Sequence, residues 1–112
     1  MADPATVVCI YRVRSGSEDE FAKLLERHWP TLRELGLASE QRPQHYRGAE
    51  QDGGPIFIEI FAWKSESAAQ RAHEHAEVMA IWEPMGALTE SRGGRPGMEF
   101  PHVRPIRVLG PA

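Results

Sequence analysis

Ile56-Phe57-Ile58-Glu59-Ile60-Phe61-Ala62-Trp63 decides how the rest of the chain is read. The run is apolar except for Glu59, rich in β-branched and aromatic residues, and bounded by Gly53-Gly54-Pro55 and Lys64-Ser65. A short apolar run with such flanks reads as a strand buried on both faces. Side chains alternate along a strand, so Ile56, Ile58, Ile60 and Ala62 share one face and Phe57, Glu59, Phe61 and Trp63 the other. A helical segment carrying His73, His75, Trp82 and Met85 follows. A carboxylate among aromatics, with two histidines downstream, is the nearest approach to a chemical site in the sequence.

Upstream, Thr6 to Arg14 reads as a first strand, again apolar on both faces over its first half. Cys9 within it is a packing residue rather than a reactive thiol, since no His adjoins it. Ser15-Gly16 breaks the strand, and Ser17 with Glu20 forms a capping-box signature for a helix. Phe21, Leu24, Leu25, His28, Leu32 and Leu35 recur at helical spacing, and Gly36 suits the position after the helix end. Pro30 lies inside that pattern and predicts a kink or a division near Trp29. His28 reads as a half-exposed helix residue.

Gln44 to Arg47 reads as a short second strand with Pro43 at its start, and Gly48 to Pro55 as an exposed hairpin loop. After the central strand, Ser65 or Ser67 can cap a helix running toward His75. A second helical piece spans Val78 to Leu88, bent or ended by Pro84 and Gly86. Ser91 to Gly97 has the composition of a mobile loop. Met98 to Val103 is the last main strand, held at an edge by Pro101 and Pro105, and Ile106 to Leu109 a short extension. The order β-α-β-β-α-β predicts an α+β fold, a ferredoxin-like sandwich with both helical segments on one face of a four-stranded antiparallel sheet. The other face would leave apolar side chains wet, so a second copy packed sheet to sheet is expected, forming a dimeric α/β barrel.

The 112 residues are expected to form one domain, 1–112, with 104–112 as a C-terminal extension. A content of 41% hydrophobic and 26% charged residues is ordinary for a soluble globular protein. A net charge of −3 with mixed signs argues against a nucleic-acid surface. Apolar runs such as Val7 to Tyr11 fall far short of the roughly 20 residues that span a bilayer, so no membrane partner is expected. Met1-Ala2-Asp3-Pro4 carries no charged-then-apolar signal pattern, and the single cysteine excludes an internal disulfide; a cytoplasmic protein is the expectation.

Val7-Val8-Cys9-Ile10-Tyr11-Arg12-Val13, Glu20-Phe21, Ile58-Glu59-Ile60-Phe61-Ala62-Trp63-Lys64-Ser65 and the helical stretch Ala72-His73 to Leu88 together resemble the dimeric α/β-barrel superfamily. Within it, the chain resembles the antibiotic-biosynthesis-monooxygenase-like domains, over about residues 6–103. The strand-ending Trp63, the following Ser65 and the His about ten residues on carry most of the likeness. The resemblance implies a homodimer, and cofactor-independent oxygenation of a small aromatic or polyketide-like compound. It also covers haem degradation and members without assigned activity. The haem-degrading branch carries an Asn on its first strand, and the quinone-forming oxygenases use Asn with Trp, Tyr and Arg; this chain contains no Asn, with Trp63, Tyr11 and Arg12 as partial substitutes.

Placed in an apolar pocket under the second helical stretch, Glu59 is expected to have a raised pKa unless a cation pairs with it, and His73 or His75 is the expected partner. Such a pair reads either as an acid–base device that ionises a phenolic or enolic substrate, or as a core acid satisfied by hydrogen bonds or lying at the dimer seam. Glu59 and His73 are thus the catalytic candidates, and Tyr11, Trp29, Trp63, His75, Trp82 and Met85 the candidates to line a cavity for a flat ligand. His73-Glu74-His75-Ala76-Glu77 is a near miss for a zinc-protease pattern. Residues two apart on a continuous helix point about 200° from each other, and His73 with Glu77 makes only two ligands, so no metal is expected. His45 and His102 read as exposed polar residues. A non-catalytic small-molecule-binding or accessory protein is the alternative function, and a metal-assisted isomerase or lyase the third.

Overall fold

The computed structural model describes residues 5–110. The elements run β1 (Ala5–Arg12), α1 (Glu18–Glu34), β2 (Gln44–Ala49), β3 (Pro55–Trp63), α2 (Glu66–Arg71), a single 3₁₀ turn (Ala72–Glu74), α3 (Ala76–Ala87), β4 (Met98–Glu99) and β5 (His102–Val103). The reading of Met1 to Pro4, and the last two residues of the expected C-terminal extension, lie outside the described residues.

All pairings in the sheet are antiparallel, in the order β2-β3-β1-β4, with β5 also paired to β1. The two most apolar strands therefore lie side by side at the centre, in the α+β, ferredoxin-like arrangement expected. Their register places Cys9 opposite Glu59 and Ile10 opposite Ile58. On one face Val7, Cys9, Tyr11, Val13, Phe57, Glu59, Phe61 and Trp63 are buried against Phe21, Leu25 and Leu32 of α1 and Val78, Ile81 and Met85 of α3. Tyr11, Phe21 and Phe57 stack in sequence, with ring centroids 4.9 and 5.4 Å apart. On the other face Val8, Ile10, Ile56, Ile58 and Ile60 stay half-buried and no helix covers them.

That open face ends in a polar clamp. Arg12 is buried, and its guanidinium donates to Glu50, to Glu99 and to the Pro96 carbonyl. Arg92 donates to Glu50, Glu90 and the carbonyls of Pro55 and Val13. Charge pairing and carbonyl acceptors compensate for taking both guanidinium groups out of water.

Several local expectations are corrected. Helix α1 is not divided at Pro30: both Pro30 and Glu26, whose carbonyl loses its bond, are exposed, on the side of the helix away from the core. The Ser17 capping box does not form; the Glu18 carboxylate takes the Gly16 N–H instead. Gly36 does end the helix, at φ +74°, while the Leu37 N–H reaches back to the Leu32 carbonyl at 2.9 Å. Residues 98–103 form two short strands rather than one, because Phe100-Pro101 interrupts the ladder. Ile106 to Leu109 adds no strand, and residues 104–110 are exposed outside regular structure. Ser91 to Gly97 is a pinned turn rather than a free loop: Arg92 and Arg95 exchange backbone hydrogen bonds of 3.0 and 2.9 Å, and the Arg92 side chain anchors it. No helix among the described residues is long and apolar enough to cross a membrane.

Candidate functional site

Glu59 lies on β3 between two neighbours, opposite Cys9 of β1 and opposite His45 of β2. Its side chain points to the helix-covered face and has no solvent exposure. Burial of a lone carboxylate is costly, and here three donors converge on it. The Tyr11 hydroxyl donates to Oε1 at 2.9 Å, His28 Nδ1 lies 2.8 Å from the same oxygen, and His45 Nε2 lies 2.8 Å from Oε2. On the far side of His28, Trp82 Nε1–H donates to Nε2 at 2.8 Å. An indole N–H can only donate, so His28 Nε2 must accept, and the ring carries its proton on Nδ1 toward Glu59. The network is thus directional: Trp82 to His28 to Glu59, with Tyr11 and His45 donating to the same carboxylate.

Burial acts to raise the Glu59 pKa, but the hydrogen bonds from His28 and His45 outweigh it and hold it at about 2. The exception allowed for in the sequence therefore applies: Glu59 is paired, though with His28 and His45 rather than with His73 or His75. A carboxylate so acidic and so enclosed does not take up protons near neutrality, which removes Glu59 as the base itself. Burial, and then the adjacent Glu59 charge, push the Tyr11 hydroxyl well above its usual value and the Cys9 thiol upward as well. Both stay protonated, and Cys9 is the inert packing residue expected.

His45 differs from the rest of the network. Its side chain is 40% exposed while Glu59 is fully enclosed. It opens onto a groove of about 290 Å³ between α1 and β2, lined by Ala22, Leu25, Glu26, Tyr46, Arg47 and Phe57 besides His45 itself. With Nε2–H directed at Glu59, the other ring nitrogen is left as an acceptor. The arrangement is a carboxylate–imidazole pair, the acid buried and the imidazole at the wall of a groove.

The expected partners of Glu59 are corrected accordingly. His73 is exposed and stands edge-on to Trp82 at 4.9 Å, while His75 occupies the break before α3 at φ −103°, ψ 121°. Neither is hydrogen-bonded to Glu59, whose two oxygens are taken by Tyr11, His28 and His45. The break at His75 denies His73 and Glu77 a shared helix face. Among the described residues no group of three or more His, Cys, Asp or Glu side chains is placed to hold a metal ion. Of the expected cavity residues, Tyr11 joins the Glu59 network directly and Trp82 through His28. Trp63 is buried edge-on to Phe61 and Trp82, and Met85 is buried in the core. Trp29 is half-buried under Arg33, with a buried N–H that meets no acceptor among the described residues. None of these four tryptophan and methionine side chains lines the groove at His45.

Sequence reasoning missed both histidines of the network: His28, read as half-exposed, is buried, and His45, exposed as expected, was not seen to bond Glu59. Both had a signal. His28 shares the stripe of Phe21, Leu25 and Leu32, the buried residues of α1. A hairpin centred near Asp52 sets His45 against Glu59.

No protein-family model and no curated protein matches the chain. Solved structures do share its fold. SnoaB, a cofactor-independent oxygenase from Streptomyces nogalater, superposes with a TM-score of 0.68 at 19% identity, over 96% of this chain and 98% of that one. A proposed antibiotic biosynthesis monooxygenase from Nitrosomonas europaea gives 0.66 at 12% identity, over 98% and 97%. A NIPSNAP family protein from Agrobacterium tumefaciens gives 0.61 at 18% identity, over 95% and 89%.

Proposed function

We propose that this chain, which has the fold of the antibiotic-biosynthesis-monooxygenase-like proteins, is a homodimeric, cytoplasmic, cofactor-independent oxygenase of small aromatic or polyketide-like compounds. The hydrogen bond between His45 and the enclosed Glu59 carboxylate, at the wall of a groove, carries this reading. Glu59 fixes the His45 tautomer and stabilises the imidazolium that forms when the ring takes a proton. His45 then removes a proton from a phenolic hydroxyl or an enolisable C–H. The resulting anion is electron-rich enough to reduce O₂: a ring CH₂ becomes C=O, one oxygen atom is retained and the other leaves as water. Dioxygen supplies the whole four-electron oxidation. Glu59 is a positioning residue in this scheme, and His73, packed on Trp82, has no part in proton transfer.

Homodimerisation is supported by the uncovered face of β1 and β3, where Val8, Ile10, Ile56, Ile58 and Ile60 adjoin Tyr46, itself 55% exposed. A contiguous apolar surface of this kind calls for a partner. A second copy laid sheet to sheet covers it and leaves the groove on the opposite layer open.

Oxygen uptake with a panel of anthrones, naphthols and hydroxynaphthoates tests the chemistry. The wild-type protein should consume O₂ without added metal or flavin, and His45→Gln should lower turnover about 10²–10⁴-fold while unfolding at a similar denaturant concentration. Equal turnover by both proteins would remove His45 as the base. Binding of panel members without any uptake would favour the alternative, a non-catalytic binding or accessory protein in which Glu59 is a satisfied core acid.

A further inference from the structure

His45 and Arg47 are two residues apart on β2, so both project to the helix-covered side, roughly 7 Å apart along the strand. The ladder pairs them with different partners on β3: His45 with Glu59, Arg47 with Phe57. The Arg47 guanidinium lies over the Phe57 ring, 5.4 Å from its centroid. Among the described residues Arg47 has no carboxylate within 4 Å, and of the unpaired arginines it is the one at the wall of this groove. Glu26, on the α1 wall of the same groove, is not paired with it. The groove thus holds a proton acceptor at one point, an uncompensated planar cation at the next rung, and mostly apolar surface between them.

The geometry points to Arg47 as an anion-recognition residue, selecting flat aromatic substrates that carry a carboxylate on the end away from the acidic hydroxyl or C–H. An aromatic body lies on the Phe57, Leu25 and Ala22 surface. Its carboxylate meets the guanidinium fork, which Phe57 keeps from collapsing onto the strand, and its ionisable group faces His45. Glu26 opposes a second negative charge at the other wall, so monocarboxylates are preferred over dicarboxylates. This inference rests on the groove being the substrate site.

Binding of 6-hydroxy-2-naphthoate and of its neutral carboxamide, followed by ligand fluorescence under argon, tests it without any turnover. The carboxylate should bind at least about tenfold more tightly than the amide, and less selectively at 0.5 M salt than at 0.05 M. Arg47→Met should abolish the difference, Arg47→Lys should restore part of it, and Glu26→Gln should tighten carboxylate binding about two- to threefold. Both ligands should shift the His45 ring and Ala22 methyl resonances. Equal affinity for the two ligands, a preference that survives Arg47→Met, or ligand shifts confined to other residues would overturn the assignment. A carboxylate preference without oxygen uptake would sink the oxygenase reading alone, and His45-dependent turnover of the amide at equal affinity would sink this inference alone.

Discussion

Replacing Glu59 by Gln separates the charge of this residue from its shape. Oε1 accepts from both Tyr11 and His28, and Oε2 from His45 only. A glutamine placed with its oxygen at the Oε1 position keeps two of the three bonds. Its NH₂ then confronts His45 Nε2, and the conflict is relieved if His45 moves its proton to the other ring nitrogen. That tautomer has no lone pair to offer the groove, so the variant should fold yet lose base function. The energetic scale follows from linkage. Glu59 is held at about 2 against an ordinary 4.5, equivalent to about 3 kcal/mol of stability contributed by the ionised form. The folded-state pKa is the depressed one, so this contribution is present above pH 4.5 and lost as pH falls from there toward 2. Because Gln keeps two bonds, the expected cost at neutral pH is nearer about 2 kcal/mol. Urea denaturation from pH 7 down to 2 should show the wild type losing its advantage over Glu59→Gln below pH 4.5, with the two curves meeting at about pH 3. Nitrogen NMR of the ring should show the His45 proton on Nε2 in the wild type and on Nδ1 in the variant. Parallel stability curves across that window, or an unchanged His45 tautomer, would refute the reasoning.

Three further outcomes follow from particular contacts. Arg12→Met should cost about 3 kcal/mol in denaturant unfolding, the low end for breaking a buried pair, because Glu50 and Glu99 are partly exposed and regain water; a loss under 1 kcal/mol would show that the clamp at the sheet end contributes little. Trp82→Phe leaves the His28 Nε2 acceptor without its donor and should destabilise by about 1–2 kcal/mol, whereas unchanged stability would mean the indole bond does not anchor the network. Ile58→Lys puts a charge in the middle of the uncovered face, and light scattering should then report a 12.6 kDa particle where the wild type gives twice that mass; a wild type already at 12.6 kDa would contradict dimerisation.

A fold shared with solved structures at under a fifth identity implies that the layers tolerate many apolar packings that preserve the pattern. Chemistry is then free to differ between proteins of this fold, because it depends on a handful of polar side chains set into that shell. Here the polar inserts are Glu59, His28 and His45, placed on β3, α1 and β2.

Hydrophobic periodicity alone determined where the main strands and helices lie along the chain and which residues share a strand face, because a period of two or of 3.6 is a local property that burial enforces residue by residue. Glu59 was legible as the odd polar residue in an apolar strand for the same reason. Which groups meet it was decided only in the folded chain. The nearest histidines in sequence after Glu59, His73 and His75, do not reach it, while His28 and His45, 31 and 14 residues distant, are brought in by helix packing and strand register. The pKa of that carboxylate followed the same division: its burial could be read from its neighbours in the chain, but the donors that reverse the effect of burial come from other elements, and only tertiary contact supplies them.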